Sequence, residues 1–126
     1  MKKVLFLDDD TNRTRKFQQF VLDKELNKDH AIYYATTAAG AIKLLTEHKF
    51  YAMHLDHDLG GKTFVVDIEE TGYEVALWIE ENIEPDENAP EYIVLHSYNP
   101  QGAKRMAAAL QKLKGRTQVY FVPFDY

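Results

Sequence analysis

The sequence predicts an α/β protein: a five-stranded parallel sheet in the order 2-1-3-4-5, with helices on both faces and no helix after the last strand. Three observations carry this. Short, continuously apolar runs recur at residues 4–7, 31–35, 51–55, 92–95 and 119–122, which is how strands buried on both sheet faces read. Helical patterns separate these runs, and strands alternating with helices make a parallel sheet with right-handed crossovers. The first and third runs both end on acid, at Asp8-Asp9-Asp10 and Asp56-His57-Asp58. Sheets of this kind bind ligands beyond the carboxyl ends of the strands, where the winding reverses, and in this order the reversal lies between strands one and three.

Each element has its own signal. After the first strand, Asp10 or Thr11 can cap a helix whose apolar side is Phe17, Phe20, Val21 and Leu26, with Arg13, Arg15, Lys16 and Lys24 between them. The second strand, Ala31-Ile32-Tyr33-Tyr34-Ala35, leads to a helix capped by Thr36 or Thr37 and faced with Ala38, Ala41, Ile42, Leu44 and Leu45. The third strand is Tyr51-Ala52-Met53-His54-Leu55. Gly60-Gly61 then breaks the chain, and residues 62–70 read as a short hairpin or a lid. Thr71-Gly72-Tyr73-Glu74 is a capping box that opens a helix carrying Val75, Trp78 and Ile79. The fourth strand, Tyr92-Ile93-Val94-Leu95, is followed by His96-Ser97-Tyr98-Asn99-Pro100, a cap with proline at the first helical position. That helix carries Ala103, Met106, Ala107, Leu110 and Leu113, and Gly115 is its natural stop. Val119-Tyr120-Phe121-Val122 is the fifth strand.

Composition narrows the function classes. At roughly 150 residues per domain, 126 residues make one domain, 1–126. The absence of cysteine excludes disulfide frameworks, thiolate zinc sites and cysteine nucleophiles. A net charge of -5 disfavours extended DNA binding, though not a small nucleotide or an RNA end at a local basic spot. The apolar start at residues 4–7 is too short for a signal peptide. No stretch approaches the roughly 20 apolar residues of a membrane span. A soluble, cytoplasmic protein without membrane contact is expected.

The two acidic clusters should meet in space. Carboxylates in one small pocket repel and raise each other's pKa, and a divalent cation removes that cost. Oxygen ligands and water are what Mg²⁺ prefers. Asp8, Asp9 and Asp56 are therefore the candidate ligands of Mg²⁺ or Mn²⁺; the bland alternative is that Asp10 caps a helix and the others are solvated.

These residues resemble the receiver domain of bacterial response regulators, whose fold is flavodoxin-like. Val4-Leu5-Phe6-Leu7-Asp8-Asp9 looks like the family's first strand with its paired metal-binding acids, and Leu55-Asp56 like its phosphoacceptor. Asp58 falls where a receiver supplies a metal-binding carbonyl, and Val122-Pro123-Phe124 looks like the Lys-Pro-Phe ending of its fifth strand, which implies a cis Val122-Pro123 bond. The departures are Val122 in place of lysine, His96 or Ser97 in place of Ser/Thr, a longer segment after Asp56, and a chain that stops before the family's last helix. Leu55-Asp56-His57-Asp58-Leu59-Gly60, Thr71-Gly72 and Leu95-His96-Ser97-Tyr98-Asn99 are more similar to an atypical branch, the cyclic-phosphate-processing receivers. That resemblance implies action on cyclic phosphate ends of RNA or nucleotides.

The chemistry needed for such an activity is present. Opening a cyclic phosphate takes a nucleophile, charge neutralisation and an acid for the leaving hydroxyl. His57 and His96 are the candidate proton carriers, since imidazole titrates near neutral pH, and Asp56 and Ser97 complete the candidate catalytic set. Ser97, Asn99 and Lys104, with the amino terminus of the helix beginning near Pro100, are the candidate phosphate ligands; Asn99 can equally be only the cap. His54 reads as core, His30 and His48 as exposed, and Trp78 as packing. Two functions follow: a Mg²⁺-dependent phosphohydrolase or phosphodiesterase, or a signalling receiver that is phosphorylated on Asp56 or binds a protein partner.

Overall fold

The structure, a computed structural model, describes residues 1–59 and 71–122. Five strands, β1 (Lys2–Leu7), β2 (His30–Ala35), β3 (Ala52–Leu55), β4 (Tyr92–Leu95) and β5 (Gln118–Phe121), alternate with helices α1 (Thr11–Asp23), α2 (Ala38–Glu47), α3 (Gly72–Asn82) and α4 (Pro100–Ala109). The strands form one sheet in the order β2-β1-β3-β4-β5, and every pair is parallel. The predicted fold is the one observed. Among the described residues no helix follows β5, and none is long and apolar enough to cross a membrane.

Alternation along the strands sends their side chains to two cores. Leu5, Leu7, Met53, Leu55, Ile93 and Leu95 pack with the apolar sides of α2, α3 and α4. Phe6 faces the other way, against Phe17 and Val21 of α1, and its ring stacks on Phe17 at 4.2 Å between centroids. His54 belongs to this second face and is buried there, as expected.

The helix starts follow their caps. Asp10, Thr37, Thr71 and Asn99 each accept a backbone N–H of the first turn, from Arg13, Gly40, Tyr73 and Gly102 respectively. The ends differ more. α1 stops at Asp23, and Leu26 lies on a separate 3-10 turn, reached through Glu25 at φ 56°. α4 stops at Ala109 instead of running to Gly115. The Leu110 amide is shared between the Met106 and Ala107 carbonyls, so the chain tightens into a 3-10 turn, Gln111–Leu113, that still buries Leu113. His30 and His48 are half-buried, contrary to expectation, because Asp29 and Lys3 reach their rings. The segment 62–70 and the Val122-Pro123 bond lie outside the described residues.

The register places the site. Leu7, Leu55 and Leu95 lie in one row across the three central strands, with Phe121 beside Leu95. The ladder then continues one step: Asp56 N donates to Leu7 O, His96 N to Leu55 O and Val122 N to Leu95 O. The first residues beyond the sheet are thus Asp8, Asp56, His96 and Val122, side by side.

Gly72 locks α3 onto this edge. Its amide donates to His57 O at 2.8 Å, and a Cβ on it would lie 1.9 Å from the Asp56 carbonyl oxygen. Gly72→Ala is therefore expected to lower stability by about 1–3 kcal/mol, the cost of overpacking. Gly115, with nothing within 4 Å of its added Cβ, should accept alanine with no loss. Urea unfolding of both variants checks this; equal midpoints would contradict the close approach.

Candidate metal and phosphate site

Because Asp8, Asp56 and His96 follow level strand ends at the same step of the alternation, their side chains share the α1 face of the sheet. All three are buried. One ligand atom from each lies within 4.8 Å of the others, the only such group among the described residues. Asp8 and His96 are bonded directly, Nε2 to Oδ2 at 2.9 Å, and the His96 ring stacks on Phe6.

The fourth member is Arg13, which the sequence reading left among the spacers of the first helix. Its Nε donates to Asp8 Oδ2 at 2.7 Å and its Nη2 to Asp8 Oδ1 at 2.9 Å. The same Nη2 reaches Asp56 Oδ2 at 3.4 Å. The available signal was positional. Arg13 stands three residues after the cap Asp10, so the first turn of α1 carries it back over the strand end it has just left.

One guanidinium serves two carboxylates, and unequally. Burial pushes Asp8 up, but hydrogen bonds from His96, Arg13 and the Asp10 amide outweigh it and hold the carboxyl at about 2. An ionised Asp8 can only accept, so His96 carries its hydrogen on Nε2. Asp56 has weaker help: burial and the neighbouring Asp8 charge outweigh Arg13 and push it up to about 7. Arg13 itself is held more firmly protonated, chiefly through its bond to Asp8. Burial lowers His54, behind the site, to about 3, so it stays neutral.

His57 and Ser97, the residues after Asp56 and His96, turn the other way, towards the start of α4. His57 is buried with Nδ1 donating to Asp58 Oδ1 at 2.7 Å. Asn99 Nδ2 donates to the same oxygen at 3.1 Å. A Cβ on Gly102 would meet the His57 ring at 2.4 Å, so α4 starts flat against that ring. Ser97 Oγ accepts the Asn99 amide at 3.0 Å, and Asn99 Oδ1 caps α4. His57, Asp58, Ser97 and Asn99 thus tie the β3 and β4 ends to the start of α4. Asp9 and Lys104 are exposed and lie outside the buried group, and Tyr98 is exposed beside it. Gly102, like Arg13, escaped the sequence reading; a glycine three residues after a cap was its only mark.

Asp8, Asp56 and His96 could hold a metal ion. The test of fit is electrostatic: Asp56 is a buried carboxyl whose ionisation the chain's own cation does not fully compensate. The oxygens of two carboxylates suit a hard divalent cation better than the single imidazole suits a softer one.

Comparison with known proteins agrees with the fold. Solved structures of similar fold include a two-component response regulator from Clostridium difficile, 16% identical, TM-score 0.62, covering 97% of this chain and 83% of that one. The response regulator TrrA of Thermotoga maritima is 19% identical, TM-score 0.59, covering 97% and 86%. The chemotaxis protein CheY4 of Vibrio cholerae is 17% identical, TM-score 0.57, covering 99% and 89%. At these identities the likeness shows the receiver fold alone. No curated protein matches the chain. The model of the cyclic-phosphate processing receiver domain matches residues 3–112, and the row of Asp8, Asp56 and His96 lies within that span: the chain belongs to the cyclic-phosphate processing receiver family.

Proposed function

We propose that this receiver domain is a Mg²⁺- or Mn²⁺-dependent phosphohydrolase or phosphodiesterase that processes a cyclic or terminal phosphate on a nucleotide or RNA end. The supporting observation is the buried Asp8–Asp56 pair with His96 bonded to Asp8 at the ends of adjacent central strands. The chain acts as one domain, 1–126, in the cytoplasm, and its ligand is a small phosphorylated molecule or an RNA end, with no membrane involved.

Asp8, Asp56 and Asp9, with the Asp58 carbonyl, would hold the cation, which neutralises phosphoryl charge when bound. Ring opening adds one water across a P–O bond: the water oxygen joins phosphorus, and the ring oxygen leaves as a hydroxyl with a proton. His96 holds a proton at Nε2 beside Asp8; as an imidazolium it would give one proton to the leaving oxygen and take back the one released by the attacking water, so the ring ends the step as it began. The amino terminus of α4 favours an anion beside it, and Ser97, Asn99 and Lys104 are the proposed phosphate ligands at that end. His57 keeps that terminus in place.

A second reading is a signalling receiver in which Asp56 itself takes the phosphoryl group or the domain works by binding a protein partner. The receiver fold favours it, and the TrrA structure is a complex with Mg²⁺–BeF. Against it stands Val122, an uncharged residue, in the row beside His96. Incubation with Mg²⁺ and 2′,3′-cyclic nucleotides, cyclic-phosphate RNA ends and acetyl phosphate separates the two, read by mass spectrometry of product and protein. Hydrolysed substrate supports the enzyme; a stable aspartyl phosphate with no hydrolysis supports the signalling domain.

Within the enzyme reading, His96→Ala is expected to cut turnover about 10²–10⁴-fold, the usual worth of general acid–base help. Mg²⁺ affinity should change little, since imidazole is not the oxygen ligand this cation prefers. Full activity in that variant on every hydrolysed substrate would remove His96 from the chemistry.

The carboxylate pair also predicts a pH dependence for the metal-free protein. Asp56 binds its proton more tightly folded, at about 7, than at its ordinary 3.8. Between those values the unfolded chain releases the proton and the folded chain keeps it. Stability therefore falls as pH rises from about 4 to 7, by up to about 4 kcal/mol. Asp8, held at about 2, acts in the opposite sense and costs stability only as pH drops below its ordinary value. Melting in chelator should peak near pH 4. Asp56→Asn should flatten the fall towards pH 7, and Mg²⁺ should raise the melting temperature of wild type far more at pH 8 than at pH 5. A wild-type profile flat from pH 4 to 8 would contradict the pairing.

A further inference from the structure

The Asp8 carboxylate is fully engaged by the protein itself. Its Oδ1 accepts from the Asp10 amide at 2.9 Å and from Arg13 Nη2 at 2.9 Å. Its Oδ2 accepts from Arg13 Nε at 2.7 Å and His96 Nε2 at 2.9 Å. A carboxylate offers about four lone-pair sites, so a cation needing an oxygen at about 2.0–2.1 Å must displace a donor. Asp10 N is fixed by the backbone that starts α1. His96 is 1% exposed and stacked on Phe6. Arg13 is the movable one: its side chain is 27% exposed, at the end of a flexible stem, with Asp10 Oδ2 at 3.8 Å on the outer rim.

We infer that Arg13 is a resident counter-ion of the pocket, exchanged for the divalent cation, and that the released guanidinium then holds the phosphoryl group of the substrate. The inference rests on the cation reading proposed above. Charge favours the exchange. With Asp56 ionised, Asp8, Asp56 and Arg13 together carry one net negative charge; a divalent cation beside the two carboxylates balances them, and Arg13 is left as a positive group beside the site. A guanidinium presents paired N–H donors that match two phosphate oxygens. Val122, the β5 member of the row, is uncharged, and Arg13 supplies a cation from the α1 side.

The test uses the full chain in two ways. Calorimetry measures Mg²⁺ alone, then inorganic phosphate at saturating Mg²⁺, on wild type, Arg13→Ala and Arg13→Lys. Arg13→Ala is expected to bind Mg²⁺ about tenfold more tightly and phosphate about tenfold more weakly, the scale of one lost charged hydrogen bond. Arg13→Lys should fall between. A merely structural arginine would lose both affinities together. The second measurement needs only wild type: the ¹⁵N–¹H signal of Arg13 Nε should shift on Mg²⁺ addition as its bond to Asp8 breaks, and shift again with phosphate. It decides the matter should Arg13→Ala not fold. Unchanged or weaker Mg²⁺ binding by folded Arg13→Ala, or an Nε signal unmoved at saturating Mg²⁺, overturns the exchange alone. Wild type that takes up no Mg²⁺ overturns the cation reading and this inference with it. Opposite shifts of the two affinities in a protein that hydrolyses nothing leave the exchange standing and remove only the enzyme reading.

Discussion

Two carboxylates brought together out of water, with one guanidinium between them, set the terms for this site. Parallel strands of matched register end level, and the residue after each end is pushed to the same place. Placing Asp8 and Asp56 there concentrates negative charge where the sheet offers no solvent to spread it. Everything around the pair answers that cost. Arg13 returns from the first turn of α1, His96 gives Asp8 its hydrogen, and Asp56 is left as the undercompensated partner. A buried charge left short of partners is costly, and such groups cluster at functional sites.

The same alternation divides the labour. One face of the strand ends carries the acidic group with His96; the other carries His57 and Ser97, tied through Asp58 and Asn99 to the cap of α4. Gly72 and Gly102 let α3 and α4 begin in contact with the Asp56 and His57 backbone and ring. The two helix starts are thus positioned by the same short segment, Asp56-His57-Asp58, that forms the acidic site.

The sheet was legible because its signals are local: unbroken apolar runs for the strands, and caps at Asp10 or Thr11, Thr36 or Thr37, Thr71 and Asn99, of which Asp10 and Thr37 are the ones used. The meeting of Asp8 with Asp56 followed from strand order alone. Arg13 was not legible in that way. Its role depends on the direction in which α1 leaves the strand, and a basic residue on a helix otherwise reads as a solvated face. The two histidines at the strand ends looked alike in sequence, since one residue of register decides which face each one takes. His96 falls with Asp8 and His57 against Gly102, a distinction fixed by the pleat of strands that neither residue belongs to.

The carboxylate titration of Asp56 itself, followed by ¹³C NMR of the side-chain carboxyl in chelator and then in Mg²⁺, tests this account most directly. The paired-carboxylate site predicts a midpoint near 7 without metal and a fall well below the ordinary carboxylate range when Mg²⁺ is added, because the cation favours the ionised form. A midpoint near 4 that does not move with Mg²⁺ would mean that Asp56 neither feels Asp8 nor holds a cation, and would contradict the account.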